Sequence, residues 1–246
     1  IIKSISGHIG NLQVIVDDEG EDVTLNVSQI VWFDAKQMGL DQSGTFDPNL
    51  SSVDEVIKTL KENINSYSYK KFTTYDKSIC QYDGRREVIC SKCEEVCPTV
   101  AITKDDKTKT LTFSQIDCHG CGGCISVCPS GALEYAPMNR ESIYEVSKFY
   151  KETHPLIIPE KMNITNLESF LKEGVLPLAI EGEKFLDESS FLTLLQMSGS
   201  QVIFYSDFLS KGSKDAIRIV NDIYQKKYSK DAILVAMTKE ELENAL

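Results

Sequence analysis

No cysteine precedes residue 80 and none follows residue 128, although the 246-residue chain holds eight. The long flanks on either side therefore have no thiols of their own for metal binding, disulfides or nucleophilic chemistry. Long apolar runs are missing as well. The longest candidates, near Val175–Ile180 and Ala232–Met237, are strand-sized, far below the roughly 20 residues a bilayer-spanning helix needs, so no membrane insertion is expected. Positive charge is in deficit, with 26 Lys and Arg against 37 Asp and Glu for a net charge of −11. A chain of that sign repels phosphate backbones and anionic headgroups, which argues against nucleic acid or a membrane surface as partner. Histidine is scarce, at three residues, and no nucleophile motif accompanies them, so hydrolysis has no address here. No secretory signal is visible. The chain opens on Ile1 rather than methionine, and Lys239–Leu246 reads as a helix that simply stops, as in a fragment or a trimmed chain. A cytoplasmic location is expected.

What the chain does have is concentrated. Seven of the eight cysteines fall in two runs, each ending in Cys-Pro. The second run is Cys118-His119-Gly120-Cys121-Gly122-Gly123-Cys124-Ile125-Ser126-Val127-Cys128-Pro129, which has the bacterial Cys-x2-Cys-x2-Cys-x3-Cys-Pro spacing of 4Fe-4S ligation. Thiolates at every third position of a loop can curl around one face of a cubane and hold three of its irons, while the cysteine before the proline reaches the neighbouring cluster. Upstream, Cys90, Cys93 and Cys97-Pro98 supply the last three members of a second copy; Glu87 stands where the first cysteine belongs, and Cys80 is the replacement at hand. The ligation this implies is crossed. Cluster one takes Cys80, Cys90, Cys93 and Cys128, and cluster two takes Cys118, Cys121, Cys124 and Cys97, so two 4Fe-4S clusters are the expected cofactors. Gly120, Gly122 and Gly123 suit a backbone that wraps a cluster closely with its amides turned toward anionic sulfur. Between the runs, Val100–Thr103 and Leu111–Phe113 flank a polar turn from Lys104 to Lys109 and predict a short hairpin that brings the runs face to face.

Residues 80–135, a little under a quarter of the chain, resemble the bacterial two-cluster ferredoxins, including the Cys-Pro-Thr-Val-Ala-Ile and Cys-Pro-Ser-Gly-Ala-Leu stretches that follow each run. The departure is the widened first run, where Gln81–Ile89 form an insertion carrying Asp83, Gly84, Arg85, Arg86 and Glu87. Similar widened loops occur in ferredoxin-like subunits and domains of larger oxidoreductases. The resemblance therefore implies a domain of a larger redox protein rather than a small free ferredoxin, and it leaves Cys80 the least secure ligand.

Two other uses of the thiols compete. Structural zinc favours separated pairs of ligands, which four thiols at three-residue steps ending in Cys-Pro match poorly. Disulfides belong to oxidising compartments and small cysteine-dense domains, neither of which the rest of the chain suggests.

The expected fold class is α+β: a ferredoxin-like two-cluster module, residues 76–140, between an N-terminal β-rich module, residues 1–75, and a C-terminal parallel α/β domain, residues 141–246. In the first module Ile2–Ser6, Leu12–Val16 and Val23–Phe33 read as strands of a meander. A helix capped by Ser51 or Ser52, with Val53, Val56, Ile57, Leu60 and Ile64 on one face, is expected to cover it. The acidic turn Asp17–Asp22 lacks the spacing of a calcium loop and reads as a solvated hairpin turn. In the last module, strands at Leu156–Ile158, Val175–Ile180, Gln201–Tyr205 and Ile233–Ala236 alternate with helices. These are a connecting helix marked by Ile143, Val146 and Tyr150, a short helix near Leu167–Leu171, one at Asp187–Met197, one with Ile217, Val220, Ile223 and Tyr224 on a face, and the last. Strands buried on both sides with helices between them predict a parallel sheet. Ligands of such sheets sit at the carboxyl ends of the strands, here Glu181–Lys184 and Leu209–Lys214. The second loop offers amides and two lysines to a phosphate, yet matches no nucleotide fingerprint, and a plain capped helix competes. Without a specific motif, this domain bears a general likeness to the α/β subunits that accompany hydrogenases and heterodisulfide reductases, and the Gly7–Leu12 stretch to the ferredoxin-bearing flavoprotein subunit of the second group.

A cubane held by four cysteines has no open iron, so it moves single electrons rather than binding substrate. The functional expectation is an electron-transfer protein relaying through two clusters to or from a redox partner or larger oxidoreductase complex, such as a formate dehydrogenase or hydrogenase. The alternative is the cluster-bearing part of an oxidoreductase whose α/β domain or missing C-terminal segment binds a flavin or substrate. Acidic surroundings and all-cysteine ligation favour the lower half of the range of roughly −700 to +450 mV. His119 could couple electron and proton transfer or be an ordinary loop residue, and Arg85 and Arg86 could touch cluster sulfur, dock a partner, or simply form a charged turn.

Overall fold

Alternating apolar residues build the first elements. The computed structural model describes residues 2–35, 42–87, 90–162, 167, 171–182 and 184–246. Strands β1 (Ile2–His8), β2 (Asn11–Asp18) and β3 (Glu21–Val27) pair antiparallel in the order β1-β2-β3, the expected meander. Ile5, Leu12 and Val14 are buried on one side of it. At the β2–β3 turn, Asp17 accepts the Gly20 amide at 2.9 Å and pairs with Lys3 at 3.1 Å. The Gly20 hydrogen bond, and after it Lys3, hold the Asp17 carboxyl below its ordinary range. The acidic turn is a solvated hairpin turn tied to a lysine.

The third strand is shorter than its apolar pattern suggested. It stops at Val27, and the next two-residue strand, β4 (Ile30–Val31), pairs in parallel with β5 (Thr45–Phe46) instead. Gln29 lies between them because its side chain is engaged elsewhere, donating to the Leu60 carbonyl at 3.2 Å and accepting from Asn63 at 3.3 Å. Helix α1 (Val53–Glu62) starts at a reciprocal cap of Ser52 and Glu55, which satisfies two amides that have no partner within the helix. Its expected apolar face does not form a cover: Val56 is buried, but Val53, Ile57 and Ile64 are exposed. Polar bonds from Gln29 and Asn63, rather than a buried stripe, hold its end.

Between the cysteine runs, β7 (Ile102–Asp105) and β8 (Thr110–Phe113) form the expected antiparallel hairpin, its turn fixed by Asp105 accepting the Lys107 and Thr108 amides. Short helices α2 (Lys92–Glu95) and α3 (Gly123–Ser126) each carry a cysteine, and β6 (Thr73–Tyr75) pairs antiparallel with β9 (Leu133–Tyr135).

After α4 (Arg140–Ser147), strands β10 (His154–Pro159), β11 (Val175–Ile180), β12 (Val202–Tyr205) and β13 (Ile233–Ala236) form a sheet in the order β11-β10-β12-β13. All its pairings are parallel. Helices α5 (Glu188–Ser198), α6 (Lys211–Tyr228) and α7 (Lys239–Ala245) begin at side-chain caps from Asp187, Ser210 and Thr238. The central strands β10 and β12 are buried on both faces. Leu156, Ile158, Ile203, Tyr205 and Ala236 bury with Leu167 and Leu242, and Phe204 meets Phe191 of α5 at 6.1 Å between ring centres. On α6, Ile217 and Val220 are buried as expected while Ile223 is exposed. The short helix expected near residues 167–171 falls mostly on residues 168–170, outside the described residues.

The chain divides into two compact units. One comprises Ile1–Lys71 and Cys97–His119, and the other Phe72–Val96 and Gly120–Leu246. Among the described residues no helix is long and apolar enough to cross a membrane.

Leu156 is fully buried, so Leu156→Ala is expected to cost about 3 kcal/mol in a denaturant melt. The same change at exposed Ile223 should stay within about 0.5 kcal/mol.

Candidate metal centre

In the second unit, β6 runs through a single helical turn (Lys77–Ile79) into Cys80, which is buried. The segment after it is a built loop. The backbone amides of Tyr82 and Asp83 both point at the Cys80 sulfur at 3.4 Å, and Arg85 clamps the backbone, donating to the Cys80 carbonyl at 2.8 Å and the Ser78 carbonyl at 3.2 Å. Tyr82 is sealed in the core. Asp83, equally buried, accepts the Tyr75 hydroxyl at 2.9 Å and meets the Lys77 ammonium at 2.9 Å. Arg85 is thus a backbone clamp, bonded to carbonyls rather than to sulfur.

Cys93 has Cys80, Cys90 and Cys128 as its charged neighbours. Cys93 lies buried on α2, Cys90 precedes that helix, and Cys128 follows α3. Burial pushes the Cys93 thiol up to about 12, and the charges of Cys128, Cys90 and Cys80 push the same way. At neutral pH the metal-free chain therefore keeps a proton on Cys93, and a metal centre that takes this sulfur must expel it.

The second cysteine run is shaped by close backbone approach. Gly122 starts α3 in the left-handed region at φ 79°, and a Cβ there would stand 2.4 Å from the Cβ of Phe185. Only glycine meets both demands. The Lys184 amide donates to the Cys121 carbonyl at 3.0 Å, and Tyr135 stacks on Phe185 at 4.5 Å. Cys121 and Cys124, both half-buried, are thereby fixed on a loop seated against the segment that follows β11.

In the first unit, Cys97 lies 3.5 Å from the Thr99 hydroxyl. Cys118 follows Asp117, a buried carboxylate that accepts the Ser43 amide and hydroxyl at 3.1 and 2.7 Å and the Ser114 hydroxyl at 2.6 Å. These bonds fix the entry into the second run. His119 is exposed on it.

All eight cysteines are free thiols. Among the described residues, no three His, Cys, Asp or Glu side chains stand close enough to share one metal ion. A tetrahedral zinc with Zn–S bonds of about 2.3 Å would need its sulfurs within about 4 Å of one another. A cubane, whose ligands bind separate irons, spreads them wider, and amides aimed at sulfur and a glycine-rich wrap suit it.

Residues 88–132 match the family model of the 4Fe-4S dicluster domain. The chain carries a 4Fe-4S ferredoxin-type domain. This ferredoxin domain is similar to a stretch of the polyferredoxin protein MvhB of Methanothermus fervidus, 40% identical over 50 residues, which is 18% of this chain and 12% of that protein. The chain thus matches only a small part of that curated relative's length. No solved structure matches. Cys80 lies outside both the family match and its seven cysteines, so its case rests on the loop geometry around its sulfur.

The loops at the carboxyl ends of the parallel strands touch the ferredoxin domain. Gly182 packs within 2.9 Å of the Tyr135 ring and 3.1 Å of the Gly120 carbonyl, measured from where a Cβ would stand, and Gly212 approaches Ser126 more closely still, at 2.2 Å. Glu183 lies outside the described residues. At Leu209–Lys214 the plain capped helix is what forms, since the Ser210 hydroxyl accepts the Ser213 amide at 3.1 Å. Sequence reasoning missed Tyr75, Asp117 and Phe185, and it named Asp83 and Lys184 without giving either a role at the cysteines. None belongs to a motif, and the one available signal was the proximity of Asp83 and Asp117 to cysteines in the chain.

Gly122→Ala is expected to cost at least 1–2 kcal/mol from the left-handed backbone alone, with the Phe185 contact adding to it. Thermal unfolding of the anaerobically purified protein checks this, and iron bound per chain should fall with it.

Proposed function

We propose that this protein is an electron carrier or electron-transfer subunit that relays single electrons through two 4Fe-4S clusters to or from a partner oxidoreductase. The ferredoxin-type domain supports the iron-sulfur part of this reading. What supports the rest is that Cys93, buried on α2, has Cys80, Cys90 and Cys128 as charged neighbours. These four are the set that the crossed spacing assigns to cluster one. By the same spacing, Cys118, Cys121, Cys124 and Cys97 hold cluster two. The three-module arrangement expected from the sequence belongs to the same proposal.

When bound, such clusters supply one-electron chemistry at fully ligated iron. The chain's own part is to hold and tune them. It excludes water at Cys93, directs the Tyr82 and Asp83 amides at the Cys80 sulfur, and fixes the second run through Lys184 and Phe185. The net charge of −11 favours a partner with a basic docking face, for example a formate dehydrogenase or hydrogenase. The name of the polyferredoxin relative fits a redox assembly. Cytoplasmic residence is part of the proposal.

Anaerobic purification followed by metal, sulfide and flavin analysis tests the reading. The expected result is about 8 irons and equal sulfide per chain with no flavin. Two zincs, or a folded iron-free protein that resists reconstitution, would refute it, and bound flavin would favour a catalytic protein. Cys121→Ser should disable one reducible cluster while far-ultraviolet circular dichroism stays nearly unchanged. Retention of both clusters and full iron would overturn the ligand assignment.

A further inference from the structure

The insertion that widens the first cysteine run places a carboxylate where charge matters. Asp83 is 3% exposed at its side chain, and its own backbone amide points at the Cys80 sulfur. Burying an unpaired carboxylate is costly, and Tyr75 and Lys77 are among the groups that hold this one. Tyr75 donates to one oxygen, while Lys77 meets the other with its side chain 62% exposed. The two charges of the Lys77–Asp83 pair are therefore not equivalent from the sulfur's side. Water screens the ammonium, whereas the carboxylate sits on the dry side beside Cys80 and is screened much less. Arg85, a further nearby cation, donates to the carbonyls of Cys80 and Ser78 and stands exposed. Asp83 is thus a buried anion three residues from Cys80 that solvent screens little.

We infer that Asp83 is a potential-setting residue: its buried carboxylate, restrained by Tyr75 and partly offset by Lys77, makes the cluster bound at Cys80 harder to reduce than the same thiol set alone would. The physical reason is direct. Reduction adds one electron to an already anionic centre, and a fixed negative charge close by in a poorly screened site raises the cost of that step. The amides of Tyr82 and Asp83 act the opposite way by stabilising anionic sulfur. One short loop thus holds both a lever that raises the potential and one that lowers it. The role is one of positioned charge, acting through Cys80.

This inference rests on the cluster reading above, and two variants of the holoprotein test it in a potentiometric titration followed by electron paramagnetic resonance. Asp83→Asn keeps an oxygen for Tyr75 while removing the charge, and one of the two midpoints is expected to rise while the other stays put. Lys77→Gln removes only an exposed cation, and the same midpoint is expected to fall. Opposite shifts at one cluster are a signature that loss of loop structure does not produce. If both clusters are present and neither variant moves a midpoint, or both shift it in the same direction, the inference is overturned. Should Asp83→Asn lose iron, Lys77→Gln decides alone: a fall sustains the inference and an unmoved midpoint ends it. A wild-type protein without reducible clusters would instead overturn the underlying reading, so the two failures are distinct.

Discussion

Sulfur anions repel one another, and the interior around Cys93 dissolves charge poorly; this single constraint organises the centre. Cys80, Cys90 and Cys128 all raise the cost of ionising Cys93, whose proton burial already holds tightly. Thiols gathered in this way are unfavourable as anions unless positive metal compensates them. The loop around Cys80 answers the same problem from the protein side. It supplies two amide donors to the sulfur and an arginine clamp to the backbone that carries it.

The parallel sheet contributes as a support. Ligands of such sheets bind outside the carboxyl ends of the strands, and in this protein the loops there meet the second cysteine run. Lys184 donates to Cys121, Phe185 carries Gly122 and Tyr135, and Gly212 admits Ser126. A loop that must hold metal at fixed geometry gains from resting on rigid elements with well-packed cores. Phe204, Phe191, Leu156 and Ile158 provide that rigidity. The cap on α6 serves it too, because Ser210 satisfies the helix end internally and frees Gly212 to pack closely.

The elements most easily read were those with a single strong periodic or spacing signal. Strands β10 to β13 are nearly continuous apolar runs, and their parallel pairing followed from the helices between them. The failures share a cause. Val23–Phe33 has the composition of one strand, yet Gln29 leaves the ladder to bind Leu60 and Asn63, residues too distant in the chain for a local pattern to register. The stripe on α1 has the right period, yet Val53, Ile57 and Ile64 lie exposed, because periodicity states which residues share a face and not whether anything covers it.

By itself the sequence determined the chemistry: cysteine spacing selects the metal centre, and apolar periodicity selects strands and helices, because both are local properties carried by neighbouring residues. Only the tertiary structure decided which charges surround the sulfur. The Tyr75 hydroxyl on Asp83, Asp117 holding Ser43 and Lys184 on Cys121 are all set by where separate segments pack. Electrostatic fields depend on distance and burial in three dimensions, and no spacing along the chain encodes those.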